Sequence, residues 1–188
     1  QHFFQWDQVL LFIINDQYDN KTFVKLMHND KNAAENDVEY TFKEDSLSLS
    51  LGLDRAYFIT TQATASASEA LINGLKPYMD VYSIGGQTYG KPVGMYAFTD
   101  NDDEFVFLPV CFRVANANGN SDYYDGLPVD VEAEDDIREP FGSFQEQSLH
   151  QALYHIRNGS FDMTKAGFQP IPENKVEYNS LRDEIGAL

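Results

Sequence analysis

The chain has 188 residues, of which 43% are hydrophobic and 14% aromatic, so it contains enough apolar side chains for one folded domain with a core. Its formal net charge of −17 at pH 7 argues against nucleic acid and against an anionic membrane surface as partners. The single cysteine, Cys111, excludes a disulfide bond within the chain, and no apolar run reaches the roughly 18 residues of a transmembrane helix.

The first part of the chain contains one long apolar run and two shorter alternating stretches. Residues 3–14 are densely apolar, and the length of this run favours a buried helix over a strand. Residues 22–28 alternate between apolar and polar side chains and predict a strand, for which residues 38–42 are the expected antiparallel partner. Loops are expected at 29–37 and 43–53, the second with alternating Ser and Leu.

A strand, a helix and a second strand are predicted for the middle of the chain. Residues 57–61 are aromatic and β-branched, which is typical of a buried strand. The helix that follows is predicted from apolar residues at helical spacing, namely Ala67, Ala70, Leu71 and Leu75. It ends near Gly74. Residues 81–84 form the next predicted strand, and a glycine-rich turn leads from it to Lys91.

A long hairpin is predicted in the second half of the chain. Residues 93–98 and 105–115 form its two strands, and a polar turn joins them. Residues 128–131 are predicted to be extended and lead into an acidic loop at 132–136.

An amphipathic helix is predicted over residues 148–156, with Gly159 as the residue that ends it. We interpret residues 1–157 as one domain and residues 158–188 as a polar C-terminal tail. Strands alternate with helices in the middle of the chain and form hairpins towards its ends. This arrangement predicts an α/β domain with a mixed sheet.

Ser66 and Lys91 are the candidate catalytic pair. A strand-to-helix turn can expose a serine hydroxyl at the edge of a sheet, and the next strand-to-helix connection can bring a lysine beside it. The lysine must be neutral to accept the serine proton, which requires its pKa to fall by roughly three units from about 10.4. Burial produces shifts of that size. The backbone N–H of Ala67, at a helix N-terminus, is a candidate oxyanion donor.

The same residues also have a purely structural interpretation. Ser66 and Glu69 have the spacing of a capping box, with Ser66 as the N-cap and Glu69 three residues further on. A lone lysine after a glycine turn is usually solvated. Glu69 could hold Lys91 by hydrogen bonding, although a carboxylate near the lysine also raises the lysine pKa. Spacing alone therefore leaves capping and catalysis both open.

Two motifs together resemble the signature of the C-terminal processing peptidases, also called tail-specific proteases. They are Thr-Ala-Ser-Ala-Ser-Glu at 64–69 and Thr-Tyr-Gly-Lys at 88–91, and Lys91 lies 25 residues after Ser66, as in that family. The segment 126–130 also resembles the family's Gly-x-x-Pro-x-Asp. The resemblance covers roughly residues 20–157 and implies an α/β, ClpP/crotonase-like fold, a mixed sheet with βαβ units and flanking helices.

The resemblance implies a role for each residue of the site. Ser66 is the nucleophile, Lys91 is the general base and later the acid, and the N–H of Ala67 forms half of the oxyanion hole. Glu69 supports the lysine, because Met95 occupies the position at which other members carry a Gln for this purpose. The implied activity is that of a serine endopeptidase, which cleaves polypeptides near their C-termini through an acyl-enzyme and without a cofactor.

Other parts of the family pattern are expected before residue 1. These are a PDZ-like segment and an Arg-x-Asn-x-Gly-Gly motif, whose glycine supplies the second oxyanion donor. The chain begins without Met, and we expect it to be the C-terminal part of a catalytic domain that is inactive or weak alone. The resemblance also implies a location in the cell envelope, periplasmic or secreted, without membrane insertion.

Three further sets of residues were considered as sites. The histidines at 28, 150 and 155 lack the spacing of metal ligands. The acidic loop at 132–136 is either a calcium site or a solvated loop. The tyrosines at 123 and 124 either line a groove or pack in a turn. Two other functions also stay open. One is a non-catalytic domain on the same scaffold that binds an apolar ligand or a peptide, and the other is an esterase or amidase.

Overall fold

The computed structural model describes residues 21–28, 38–42, 52–100 and 104–164. The predictions for 3–14, 29–37, 43–51 and the chain beyond 164 lie outside these residues. The described helices are α1 (Ala67–Leu75) and α2 (Gln147–Asn158). The described strands are β1 (Thr22–His28), β2 (Val38–Thr41), β3 (Arg55–Thr60), β4 (Asp80–Gly85), β5 (Val93–Met95), β6 (Phe98–Thr99), β7 (Val106–Phe107), β8 (Val110–Asn116) and β9 (Val131–Glu132).

Four antiparallel strands form a sheet in the order β2-β1-β8-β5, and β6 and β7 form a separate antiparallel pair. The predicted pairing of β1 with β2 is confirmed, and β8 pairs with the other edge of β1. Phe23 on β1 is fully buried and packs with Phe42 and Leu75 in the main core. A Cβ at Gly74 would overlap the Phe23 ring, so the glycine lets α1 lie close against this sheet.

The parallel strands form a second sheet in the order β3-β4-β9. The sequence β3-α1-β4 is the predicted βαβ unit, and Thr60 at the end of β3 is the register partner of Gly85 at the end of β4. Phe58 and Val81 from this sheet pack against the same core as β1 and α1. The α/β class is confirmed. Among the described residues the parallel and antiparallel strands occupy separate sheets, and the three-stranded and four-stranded sheets share one core.

Two of the predicted elements differ in detail from the observed ones. The long hairpin is present but is divided into the pairs β5–β8 and β6–β7. Pro109 lies in the break, and a proline cannot donate a hydrogen bond to a ladder. The acidic loop predicted to begin at Glu132 begins one residue later, because Glu132 pairs with Gly85 in β9.

Helix α2 confirms the helix predicted for residues 148–156. The carboxylate of Glu146, its N-cap, accepts hydrogen bonds from the amides of Ser148 and Leu149 at 2.9 and 2.6 Å. Gly159 ends the helix with φ 72°, as predicted, and its N–H donates to the carbonyl of His155. The ring of His155 lies 4.4 Å from that of Tyr82 on β4, so α2 packs on the parallel sheet.

Candidate active site

The carboxyl ends of β3 and β4 carry the two candidate catalytic residues. The Thr60 hydroxyl donates to Gly86 O and the Gly86 amide donates to Thr60 O, both at 2.8 Å, so these strand ends are held together. Ser66 follows the end of β3 and Lys91 follows the end of β4, each by six residues. The carboxyl ends of parallel strands are the usual place for a ligand site in an α/β sheet.

Ser66 occupies a strained turn between β3 and α1. It is the N-cap of α1 with φ 53° and ψ −108°, and it is the one non-glycine residue with positive φ among those described. Such conformations are costly and concentrate at functional sites. A sharp strand-to-helix turn of this kind also displays the nucleophile in serine hydrolases. Ala67 begins α1, so its amide has no carbonyl partner within the helix.

Glu69 joins the start of α1 to the lysine-bearing loop. Its residue is 0% exposed, and its carboxylate accepts four hydrogen bonds. Oε2 accepts from the amides of Ser66 and Lys91 at 2.9 and 2.8 Å. Oε1 accepts from the Gly90 amide at 2.7 Å and from the Thr88 hydroxyl at 2.6 Å. Four donors satisfy a carboxylate that would otherwise be very costly to bury.

These contacts bring the sequence-predicted residues together through their main chain. Because the amides of Ser66 and Lys91 bind the same oxygen of Glu69, their nitrogens lie within two hydrogen-bond lengths of each other. The sequence suggested that Glu69 holds the lysine by hydrogen bonding, and the bond described here is to the lysine amide. The Glu69 half of the predicted capping box, from the Ser66 amide, is also present.

Thr88 is a part of the site whose role the sequence did not suggest. Its side chain is buried, donates to Glu69 and accepts from the amide of Leu127 at 2.6 Å. The Thr88 amide in turn donates to Leu127 O at 3.1 Å. One hydroxyl therefore links the lysine loop to the segment 123–127. The sequence did contain a hint of this role, because Thr88 is part of the motif Thr-Tyr-Gly-Lys and had no function assigned to it.

Gly90 is required because the loop containing Lys91 touches the backbone of residues 124–126. Its φ is 94°, and a Cβ there would overlap the carbonyl oxygen of Tyr124 and the amide of Gly126. Glycine alone tolerates both the positive φ and the close approach. The glycine of Thr-Tyr-Gly-Lys therefore allows the two backbones to pack closely. This packing fixes the position of the Lys91 backbone.

The segment Gly-Leu-Pro-Val-Asp at 126–130 fastens the loop that carries Lys91 to the sheet. The Asp130 carboxylate accepts from the Ser83 amide on β4, and the Asp130 amide donates to Ser83 O, both at 2.7 Å. Strand β9 continues directly from this bond. The segment therefore carries the backbone that supports Thr88 and Gly90.

Tyr123 packs in the turn, whereas Tyr124 is exposed. The Tyr123 side chain is buried against Ile72 and Leu127, so the groove-lining interpretation is wrong for it. Burial, and then the charge of Glu69, raise the pKa of its hydroxyl well above the usual range. About half of Tyr124 is exposed.

The three histidines considered above make aromatic and polar contacts. The Nδ1 of His155 lies 2.8 Å from the Tyr57 hydroxyl, and the Nε2 of His150 lies 3.0 Å from the Asp162 carboxylate. His28 stacks on Tyr96. The described part of the chain contains no group of three or more potential metal-ligating side chains. None of its helices is long and apolar enough to cross a membrane.

Comparison with known proteins gave matches among solved structures. No protein-family model matches the sequence, and no curated protein does. One is a protein from Bacteroides fragilis that is classed with the S41 proteases, with 31% sequence identity and a TM-score of 0.70. The match covers 79% of this chain and 39% of the Bacteroides protein. Another is the photosystem II D1 C-terminal processing protease, with 21% sequence identity and a TM-score of 0.50. The match covers 67% of this chain and 30% of that protease.

Fold and site together define an α/β protein in which a strained helix N-terminus and a lysine-bearing loop meet at the ends of two parallel strands. Its fold is that of the C-terminal processing peptidases, so the resemblance in the sequence is confirmed. The likeness supports a peptidase-type function in general. The chain spans less than half of the length of either structure.

Proposed function

We propose that this chain is the C-terminal part of a serine endopeptidase catalytic domain, in which Ser66 and Lys91 form the catalytic dyad. The observation that carries the proposal is the buried Glu69 carboxylate, which binds the amides of both residues with one oxygen. The strained φ of Ser66 supports it independently, because a capping serine alone has no need of a costly backbone conformation.

The proposed reaction begins when Ser66 Oγ attacks the carbonyl carbon of a peptide bond and its proton passes to the neutral amine of Lys91. The Ala67 amide donates a hydrogen bond to the developing oxyanion. Lys91 then gives the proton to the departing amine, which leaves an acyl-enzyme on Ser66. Lys91 then takes a proton from a water molecule, which attacks the ester carbon. As the bond to Ser66 Oγ breaks, Lys91 returns the proton to Oγ and the new C-terminus leaves as a carboxylate.

Glu69 is proposed to support Lys91 by fixing the loop backbone. Its carboxylate sets the position of the Lys91 amide relative to the Ser66 amide, and so the starting point of each side chain. Thr88 and Gly90 fasten the other side of that carboxylate. Both the nucleophile and the base would therefore start from one rigid cluster, which reduces the cost of orienting them.

The proposed substrate is a polypeptide cleaved near its C-terminus, and the proposed location is the cell envelope or the exterior. A second oxyanion donor and a PDZ-like segment are proposed to come from chain before residue 1. The short coverage of both similar structures is consistent with such additional chain. The activity is therefore proposed for the longer protein.

The test of this proposal is a Ser66→Ala variant of the full-length protein, assayed on unfolded polypeptides with free C-termini. Loss of the nucleophile is expected to lower kcat by about 10³-fold or more. Ser68→Ala is the matched control, because Ser68 is an exposed serine of the same motif. Processing by Ser66→Ala at the rate of the Ser68→Ala variant would remove the peptidase proposal.

One observation favours the alternative of a non-catalytic binding domain. An open surface cavity of ≈ 400 Å³ lies beside β3 and α2, and it is lined mainly by apolar groups, including the half-exposed side chains of Leu53 and Ile156. If this cavity serves the main function, a fluorescent fatty acid is expected to bind equally well to the wild type and to Ser66→Ala. Peptidase activity would then be absent from both proteins.

A further inference from the structure

The hairpin formed by β6 and β7 carries an exposed apolar surface, which we call the apolar hairpin. Its members lie on these two strands or beside them, up to the first residue of β8, and each exposes between 45% and 62% of its surface. They are Phe98, Phe105, Val106, Phe107, Leu108 and Val110. Scattered exposed apolar residues are normal, but a contiguous group of this kind usually marks an interaction site. The proposed dyad makes no use of these residues.

The pairing register places three phenylalanines on one face of the apolar hairpin. Phe98 is the direct partner of Phe107, and the Asp100 amide donates to Phe105 O, which continues the ladder to Phe105. Side chains two residues apart on a strand share a face, so Phe105 lies beside Phe107, and Val106 lies on the opposite face. In the described chain, this sheet contains two strands, which leaves the outer edge of each strand available for pairing.

The apolar hairpin continues directly from the candidate active site. Strand β5 begins two residues after Lys91, and its partner β8 follows β7. Phe98 lies seven residues beyond Lys91. Seven fully extended residues span about 23 Å, so this length is an upper limit on the distance between the two residues. A polypeptide bound at Ser66 could therefore reach the hairpin with residues close in sequence to its scissile bond.

The charges of the hairpin indicate what it binds. Every charged residue between Tyr96 and Val110 is acidic, and Asp100 and Glu104 lie near the turn. A second copy of this chain, with net charge −17, would bring like charges together. A segment that combines large apolar side chains with Lys or Arg would be attracted.

We propose that the apolar hairpin binds an extended segment of the polypeptide substrate that carries large apolar side chains flanked by Lys or Arg. The segment adds as a further strand along β6 or β7, and its apolar side chains cover Phe98, Phe105 and Phe107. The inference rests on the proposed function in taking the peptidase substrate as the occupant. The hairpin then selects substrates by a sequence away from the bond that is cut.

The test measures peptide binding to the full-length protein with Ser66→Ala, which prevents cleavage. The probes are two fluorescent 12-residue peptides with the same alternating Val and Phe core, one flanked by Lys and the other by Glu. The Lys peptide is expected to bind at least about tenfold more tightly. This difference is expected to shrink between low and high salt, because the charges involved are exposed.

Substitutions on the hairpin complete the test. Phe105→Ser and Phe107→Ser are each expected to weaken binding of the Lys peptide by about tenfold or more. The matched control is Phe141→Ser, since Phe141 is fully exposed in a different loop, and it is expected to leave binding unchanged. Circular dichroism of each variant checks that the fold is intact.

Three results would overturn the inference. The first is equal binding of the two peptides, and the second is unchanged binding by both hairpin variants. The third is protection of Phe105 and Phe107 from hydroxyl-radical labelling in the full-length protein without peptide, which would assign the hairpin to a second copy or to the protein's own chain. Any of these results leaves the cleavage assay with Ser66→Ala unaffected, so failure of the hairpin inference is distinct from failure of the proposed function.

Discussion

At the scale of single residues, the molecule is organised around the carboxylate of Glu69. Its two oxygens bind the amides of Ser66, Gly90 and Lys91 and the hydroxyl of Thr88. Sequence spacing was sufficient to predict the capping-box relation between Ser66 and Glu69. It could not reveal the bonds to 88–91, because those depend on how a loop 19 or more residues away folds back.

Glu69→Gln is expected to destabilise the protein by about 2–4 kcal/mol. The new NH₂ group faces hydrogen-bond donors where an oxygen accepted them, so buried donors lose their partner. Urea unfolding of both proteins measures the difference. Glu104→Gln changes an exposed carboxylate and is expected to stay within about 0.5 kcal/mol of the wild type. Equal stability of the two variants would contradict the importance of the buried cluster.

Gly90→Ala tests the contact between the two loops. Both Gly90 and Gly142 have positive φ, but a Cβ at Gly142 would meet nothing within 4 Å. Gly142→Ala is therefore expected to cost only the strain of its backbone, about 1–2 kcal/mol. Gly90→Ala adds overlap with Tyr124 and Gly126, and a larger loss is expected in the same unfolding assay. Similar losses at both positions would argue that the backbone contact is unimportant.

At the scale of elements, the longer helices and strands could be predicted from periodicity. Helix α2 and strands β1, β3 and β4 each have a clear apolar pattern and a recognisable end. Strand β9 could not be placed, because it has two residues and exists through pairing with β4. The break in the hairpin depends on Pro109, whose effect could have been recognised from the missing N–H.

The segment after α2 is expected to be held less tightly on the helix in acid. The Asp162 amide and carbonyl bind the side chain of Gln151. Hydrogen bonds from the Thr164 hydroxyl and the His150 ring lower the pKa of the Asp162 carboxyl. A lowered pKa in the folded state means that the stabilisation is present above the ordinary value of about 3.9 and is lost as pH falls below it.

Thermal unfolding of the wild type and of Asp162→Asn between pH 7 and pH 2 measures this effect. The wild type is expected to be the more stable near neutral pH, and the difference is expected to disappear towards pH 2. Asp122→Asn serves as the control on an exposed aspartate. A difference between wild type and Asp162→Asn that is the same at all pH values would show that the Asp162 charge does not matter.

At the scale of the whole molecule, the two larger sheets share one core, and the candidate site lies where the parallel strands end. The chain matches 39% of the length of the Bacteroides fragilis structure. If the second oxyanion donor is supplied by the longer protein, the 188-residue chain alone should turn over peptides about 10²–10³-fold more slowly than the full-length protein. A quenched fluorescent peptide measures both rates, and equal rates would contradict the proposed incompleteness.

The hydrogen bond between Glu69 and the Ser66 amide also sets a limit on insertions. Each residue added to or removed from a helix turns the side chains beyond it by about 100° around the axis. One residue gained or lost between Ser66 and Glu69 would therefore swing the carboxylate away from the loop at 88–91. The number of residues between Ser66 and Glu69 is thus set by the geometry of an α-helix as well as by the need for a serine and a carboxylate at these positions.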